Sequence, residues 1–197
     1  AEKLRLERLK DDYGVSVSTL REVLSRLSSE KLVVAEGQRG FEVAPVSVAE
    51  MKDIAALRLL LAVHAIAQSF QSGDMEWEAR VVAAHHKLAA MEDKKKTEGS
   101  SDVETWKRYD WEFHQALISL SESQVLVDMT NDILLHVRGY RQLTINREER
   151  MATSLPEHMA IIEALEERNT ELAEKRARDH TLGLATYVET HGQELFT

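Results

Sequence analysis

The sequence predicts a mainly α protein, with a small mixed head over residues 1–45 and an all-α six-helix bundle over residues 46–197. Three observations lead there. Only 2 prolines and 8 glycines interrupt 197 residues that are 43% hydrophobic, a composition suited to long helices rather than to disorder. Beyond Ser47, apolar residues recur at helical spacing in one segment after another. The short β-branched runs with glycines between them are confined to 32-LVVAEGQRGFEVA-44.

Composition also excludes some classes. No apolar run reaches the roughly 18–20 residues of a membrane span, and 1-AEKLRLERLK-10 holds no signal-peptide core. Cysteine is absent, so disulfides and thiolate chemistry are excluded, which fits a cytoplasmic protein. The net charge of −9 argues at face value against nucleic acid. Residues 1–45, however, hold eight Lys/Arg and eight Asp/Glu, so the head is neutral and the body carries the deficit. A neutral head can bind DNA if its basic groups gather on one surface.

In the head, 4-LRLERLKDDYG-14 has leucines near helical spacing and ends at a glycine suited to a helix stop. A second helix is predicted in 19-TLREVLSRLSSEKL-32, where Leu20, Leu24 and Leu27 align and Ser16 or Ser18 can cap. Two strands, 32–35 and 41–44, flank 36-EGQRG-40, whose glycines suit a hairpin turn with Arg39 at its tip. Helix, turn, helix and hairpin make a winged helix-turn-helix, which would place its second helix in a major groove. On periodicity alone, a small packed α+β unit is the better reading.

The run 14-GVSVSTLREVLSRLSSEKLVVAEGQRGFEVAP-45 closely resembles the DNA-binding domain of GntR-type bacterial regulators, with its L-R-E-x-L core and glycine-rich wing tip. The resemblance implies double-stranded operator DNA as partner, with Ser16, Ser18, Thr19, Arg21 and Arg39 as contacts. Arg21 could equally pair with Glu22 or Asp12. Two positions depart from the family pattern: Val17 stands where an arginine is usual, and Lys31 replaces a glycine before the wing. A bidentate arginine–guanine pair is worth about 1–3 kcal/mol of discrimination. Such domains also begin with a further helix before Leu4, so the head is expected to be truncated, its first helix absent.

The body reads as six helices. The first, 47–70, opens on a Ser47-x-x-Glu50 capping box. The second spans 72–93 and ends at a polar loop, 93-DKKKTEGSSD-102. The third and fourth cover 103–121 and 123–143. The fifth is predicted over 154–169, with Pro156 and His158 in its first turn, and the sixth over 170–196.

The third helix carries 109-YDWEFHQAL-117, with Asp110 and His114 four residues apart on one face. His158 and His180 lie on the last two helices. Three imidazoles and a carboxylate suit Zn²⁺, Ni²⁺, Mn²⁺ or Fe²⁺. A single helical histidine is more often a core or surface group than a ligand. Jointly, however, 110-DWEFH-114, 158-HMAIIEAL-165 and 178-RDH-180 are similar to the metal-binding FCD effector domain of the FadR-like branch of GntR regulators.

That resemblance implies Asp110, His114, His158 and His180 as ligands of a divalent metal, zinc foremost. It also implies a small carboxylate effector near Arg58, with Arg138 and Arg141 as further candidates, each equally able to form a surface ion pair. The glutamate usual four residues after Arg58 is replaced by Ala62. A homodimeric, ligand-responsive regulator is the function implied, and a helical metalloenzyme is the alternative. No H-E-x-x-H and no pair of E-x-x-H motifs is present, and an enzyme has no need of a winged helix. A third possibility keeps the regulator and makes the metal structural.

Overall fold

Lys3 and Leu4 form a strand, β1 (Lys3–Leu4), which sequence patterning did not predict: two residues are too short to show alternation. The computed structural model describes residues 2–30, 32–37, 40–98, 102–144 and 148–195. Helix α1 (Leu6–Tyr13) stops at Gly14, which turns left-handed at φ 64 and returns its N–H to the Lys10 carbonyl. Helix α2 (Val17–Ser29) starts at Ser16, whose Oγ accepts from the Thr19 N–H at 3.1 Å. Of the two capping candidates, Ser16 does the work.

Leu20 and Leu24 of α2 are buried together with Val33 of β2 (Val33–Ala35). Strand β3 (Phe41–Val43) lies between the other two, antiparallel to both, in the order β1-β3-β2. The β2–β3 hairpin is therefore a wing. Its turn begins with Gly37 at φ 56 and closes with Gly40 at φ 101, positions where side chains are disfavoured.

Six helices follow in the described body, as expected: α3 (Val48–Ser72), α4 (Met75–Glu98), α5 (Val103–Ile118), α6 (Gln124–Thr144), α7 (Glu148–Glu166) and α8 (Thr170–Leu195). By length and mean hydropathy α3 could cross a bilayer, although Arg58 and His64 interrupt its apolar run. It is instead central to the bundle, packing on α5, α6 and α8. Between the helices, Trp77, Leu88, Phe113, Leu117 and Ile161 are fully buried in one cluster.

Three local expectations need correction. The lysine run predicted as loop continues α4, which ends only at Glu98. Helix α7 begins at Glu148, so Pro156 lies inside it and His158 is in its middle rather than its first turn. The turn before the proline is held by side chains: Arg150 Nη1 donates to Thr153 Oγ1 at 2.8 Å and both its Nη groups reach Glu157. These contacts offset the hydrogen bond that proline removes. The capping box is half made. Ser47 Oγ accepts from the Glu50 N–H, but the Glu50 carboxylate turns to the Tyr140 hydroxyl at 2.8 Å.

Candidate metal centre and effector pocket

Asp110 and His114 sit one turn apart on α5, as their spacing requires. The α7–α8 hairpin supplies the other two histidines. Arg168 adopts a left-handed conformation at φ 50 and Asn169 accepts from the Leu172 N–H, so the two helices double back. That register brings His158 and His180 to ring centroids 4.6 Å apart, with His114 5.7 Å from the first and 5.2 Å from the second. Ligand-capable nitrogens of all three lie within 4.8 Å of one another. Phe113 stands edge-on to His158 at 5.0 Å and walls the cluster from the core.

All three rings are buried, His158 completely. Burial disfavours the charged imidazolium, and it is the main cause of their lowered pKa values. His114 is pushed down to about 3 by burial and the Arg58 charge. His158 and His180 are also lowered, by burial and then by their histidine neighbours. Neutral imidazoles are the form in which nitrogen can donate a lone pair to a metal.

The residues fit a cation. Both ring nitrogens of His158 and Nε2 of His180 are buried without a hydrogen-bond partner, as is Oδ1 of Asp110. Unpaired buried polar atoms are rare in native proteins, and a cluster of them suits an ordered water or an ion. Asp110 stands beside the cluster, its Oδ1 3.6 Å from His114 Nε2. Its Oδ2 pairs with Arg141, whose Nη2 is 3.1 Å from the same His114 nitrogen.

Several spaces adjoin these groups, two of them lined by Arg141. A cavity of about 470 Å³ is lined by Asp110, His114 and Arg141 together with Trp106, Trp111 and Leu134. A second, of about 20 Å³, is enclosed by Arg58, Arg141, Arg150, Thr144, Ser154 and His180. Burial and mutual repulsion lower the guanidinium pKa values, to about 10 for Arg58 and about 9 for Arg141. Both remain cations at neutral pH, and Arg58 Nε lacks a partner. The Arg138 side chain lies outside the described residues.

Sequence reasoning missed Arg150, Glu157, Ser154 and the two tryptophans. Arg150 fell outside the predicted fifth helix. Glu157, next to His158, would have stood out once that helix was extended backwards, because it lies two turns from Arg150 on one face.

In the head, Ser16, Ser18, Thr19 and Arg21 are all exposed at the start of α2. Ser16 Oγ also lies 2.7 Å from Ser18 Oγ and 2.8 Å from Thr19 Oγ1. Among the described residues Arg21 forms no ion pair with Glu22 or Asp12; Asp12 pairs with Arg8. Arg39 lies outside the described residues.

Comparison with known proteins gives the head and body separate matches. The family of bacterial regulatory proteins, gntR family, matches residues 1–43, and the FCD domain matches residues 53–183. The HTH-type transcriptional regulator BphR of Paraburkholderia xenovorans (strain LB400) is 34% identical over 190 residues, covering 96% of this chain and 78% of that protein. The HTH-type transcriptional repressor GlaR of Escherichia coli (strain K12) is 30% identical, covering 92% and 83%. The solved structure of E. coli McbR/YncC has the same fold, with a TM-score of 0.73 at 20% identity over 97% of this chain and 87% of that one. A winged head on a helical effector bundle defines a DNA-binding transcriptional regulator, not an enzyme. The chain belongs to the GntR family, and its body is an FCD domain.

Proposed function

We propose that residues 46–197 hold a divalent cation and a small carboxylate effector, and that residues 1–45 read operator DNA as one half of a cytoplasmic homodimer. The metal reading is carried by one observation: three neutral imidazoles are buried together, two of them, His158 and His180, with ring nitrogens that no protein group satisfies. His114, His158 and His180 would be nitrogen ligands and Asp110 the anionic one, a donor set suited to Zn²⁺, Ni²⁺, Mn²⁺ or Fe²⁺. The bound metal would supply a Lewis-acidic positive centre for a carboxylate. Arg58, Arg138 and Arg141 would bind the same anion, since guanidinium groups match carboxylate geometry.

In the head, Ser16, Ser18, Thr19 and Arg21 at the start of α2 would face a major groove, and Arg39, between the wing glycines in sequence, would contact the backbone or minor groove. An effector changes operator affinity only if it binds one arrangement of the paired heads better than the other. Arg141 follows Tyr140, whose hydroxyl bonds the Ser47 backbone, so the pocket connects to the start of α3, where the chain arrives from the head.

The reading is tested by gel retardation of the chain's own promoter fragment with zinc present, across a panel of small carboxylates. At least one acid is expected to change retardation of the parent, while His158→Ala binds DNA without responding. An equal response from His158→Ala contradicts the role of the metal centre. Absence of any shift at low salt contradicts the operator reading.

A further inference from the structure

We propose that Glu157 is a positioning residue for the metal centre, fixing His180 so that Nδ1 bears the proton and Nε2 faces the other two imidazoles. This rests on the metal reading above. Glu157 directly precedes His158 on α7, so its side chain leaves the helix in another direction and meets α8. There its Oε2 lies 2.9 Å from His180 Nδ1.

A neutral imidazole carries one proton, and a carboxylate beside one nitrogen draws the proton there. The lone pair is then left on Nε2, the buried nitrogen without a protein partner. Such a carboxylate both orients a histidine ligand and makes it a better donor.

Two further features hold Glu157 in place. Arg150, two turns earlier on α7, donates from Nη1 to Oε1 at 3.2 Å and from Nη2 to Oε2 at 3.0 Å. Across the interface, Gly183 leaves the room: a Cβ there would stand 2.4 Å from Glu157 Oε1. The contact is to the end of a flexible side chain, so Gly183→Ala would fold with its carboxylate pushed aside.

The test uses the full chain as parent, Glu157→Ala, Glu157→Gln and Gly183→Ala, with folding checked by circular dichroism. Two quantities are read: Zn²⁺ affinity by competition with a chromophoric chelator, and the ring ¹⁵N shifts of His180 in chelator-treated protein. Glu157→Ala and Gly183→Ala are expected to bind zinc about 10–100-fold more weakly, with the His180 shifts moving from one tautomer to a mixture. Glu157→Gln keeps an acceptor oxygen without the charge and should lose less. Should Glu157→Ala fail to fold, Gly183→Ala decides the matter alone. Unchanged zinc affinity or an unchanged His180 tautomer in the folded variants overturns the proposal. A parent that binds no zinc sinks the metal reading instead, and the tautomer measurement still decides whether Glu157 governs His180.

Discussion

The phenol of Tyr140, on α6, grips the backbone of Ser47, where the chain passes from the wing into α3. Its oxygen accepts from the Ser47 N–H at 3.1 Å, and its proton is within reach of the Ser47 carbonyl at 3.0 Å and the Glu50 carboxylate at 2.8 Å. Tyr140 itself is buried against Met51 and Val188. Because Arg141 is the next residue and pairs with Asp110, a change at the candidate centre lies one residue from the junction with the DNA-binding head. Tyr140→Phe keeps the ring and removes the grip. Urea unfolding should show a loss of about 0.5–1.5 kcal/mol. DNA retardation should survive while its response to the effector shrinks, and a full response in the variant would contradict this route.

Stability in the presence of a chelator should fall with acid. In the unfolded chain histidines take up protons as pH drops through about 6.5. In the folded chain His114 resists down to about 3, and burial also lowers His85, His158 and His180. The unfolded state therefore binds more protons below pH 6.5. The folded state's advantage is complete above that pH and is lost progressively as pH falls, for His114 down to about pH 3, by up to about 1.4 kcal/mol per pH unit for a fully shifted histidine. Denaturant midpoints measured between pH 7 and 5 should decline, and less steeply in His158→Gln. A midpoint independent of pH would contradict the buried neutral rings.

Gly73 and Gly183 should respond differently to alanine. A Cβ at Gly73 would stand 2.4 Å from the Trp77 ring and 2.9 Å from the Ser69 carbonyl. Trp77 cannot retreat: its Nε1–H donates to the Ala116 carbonyl at 2.9 Å and Phe70 packs edge-on at 5.2 Å. Gly73→Ala should cost about 1–3 kcal/mol by overpacking. Gly183→Ala meets only a carboxylate end, so its cost is confined to the Arg150 and His180 contacts of Glu157 and should be smaller in a denaturant titration of the same protein. Equal losses would contradict the distinction.

In the head, Ser16 caps α2 as well as being a proposed DNA contact, whereas Arg21, a turn further on, has no capping role. Ser16→Ala removes the cap and should cost about 1 kcal/mol in thermal or urea unfolding. Arg21→Ala leaves the cap untouched and should weaken retardation of operator DNA. If Arg21 contacts a phosphate, the slope of log affinity against log salt should fall by about 1. Parent-like affinity across salt would remove Arg21 from the interface.

Much of this architecture was legible because helical periodicity is a local property. The six body helices, the wing with its glycines, and Ser16 as a cap all follow from residues near one another in the chain. The set Asp110, His114, His158 and His180 was legible through family resemblance rather than spacing, since the register of α7 against α8 is a tertiary fact. What escaped was set by long-range partners. Glu50 left its capping box because Tyr140, ninety residues away, offered a hydroxyl. Helix α7 ran through Pro156 because Arg150 and Glu157 bind across two turns, and β1 formed because β3 offered a free edge.

The account turns most directly on metal content. Elemental analysis of the parent and of His158→Ala, with zinc supplied and excess removed, should find one tightly held ion per parent chain and a large loss in the variant. Metal-free parent protein, or equal content in both, would contradict it.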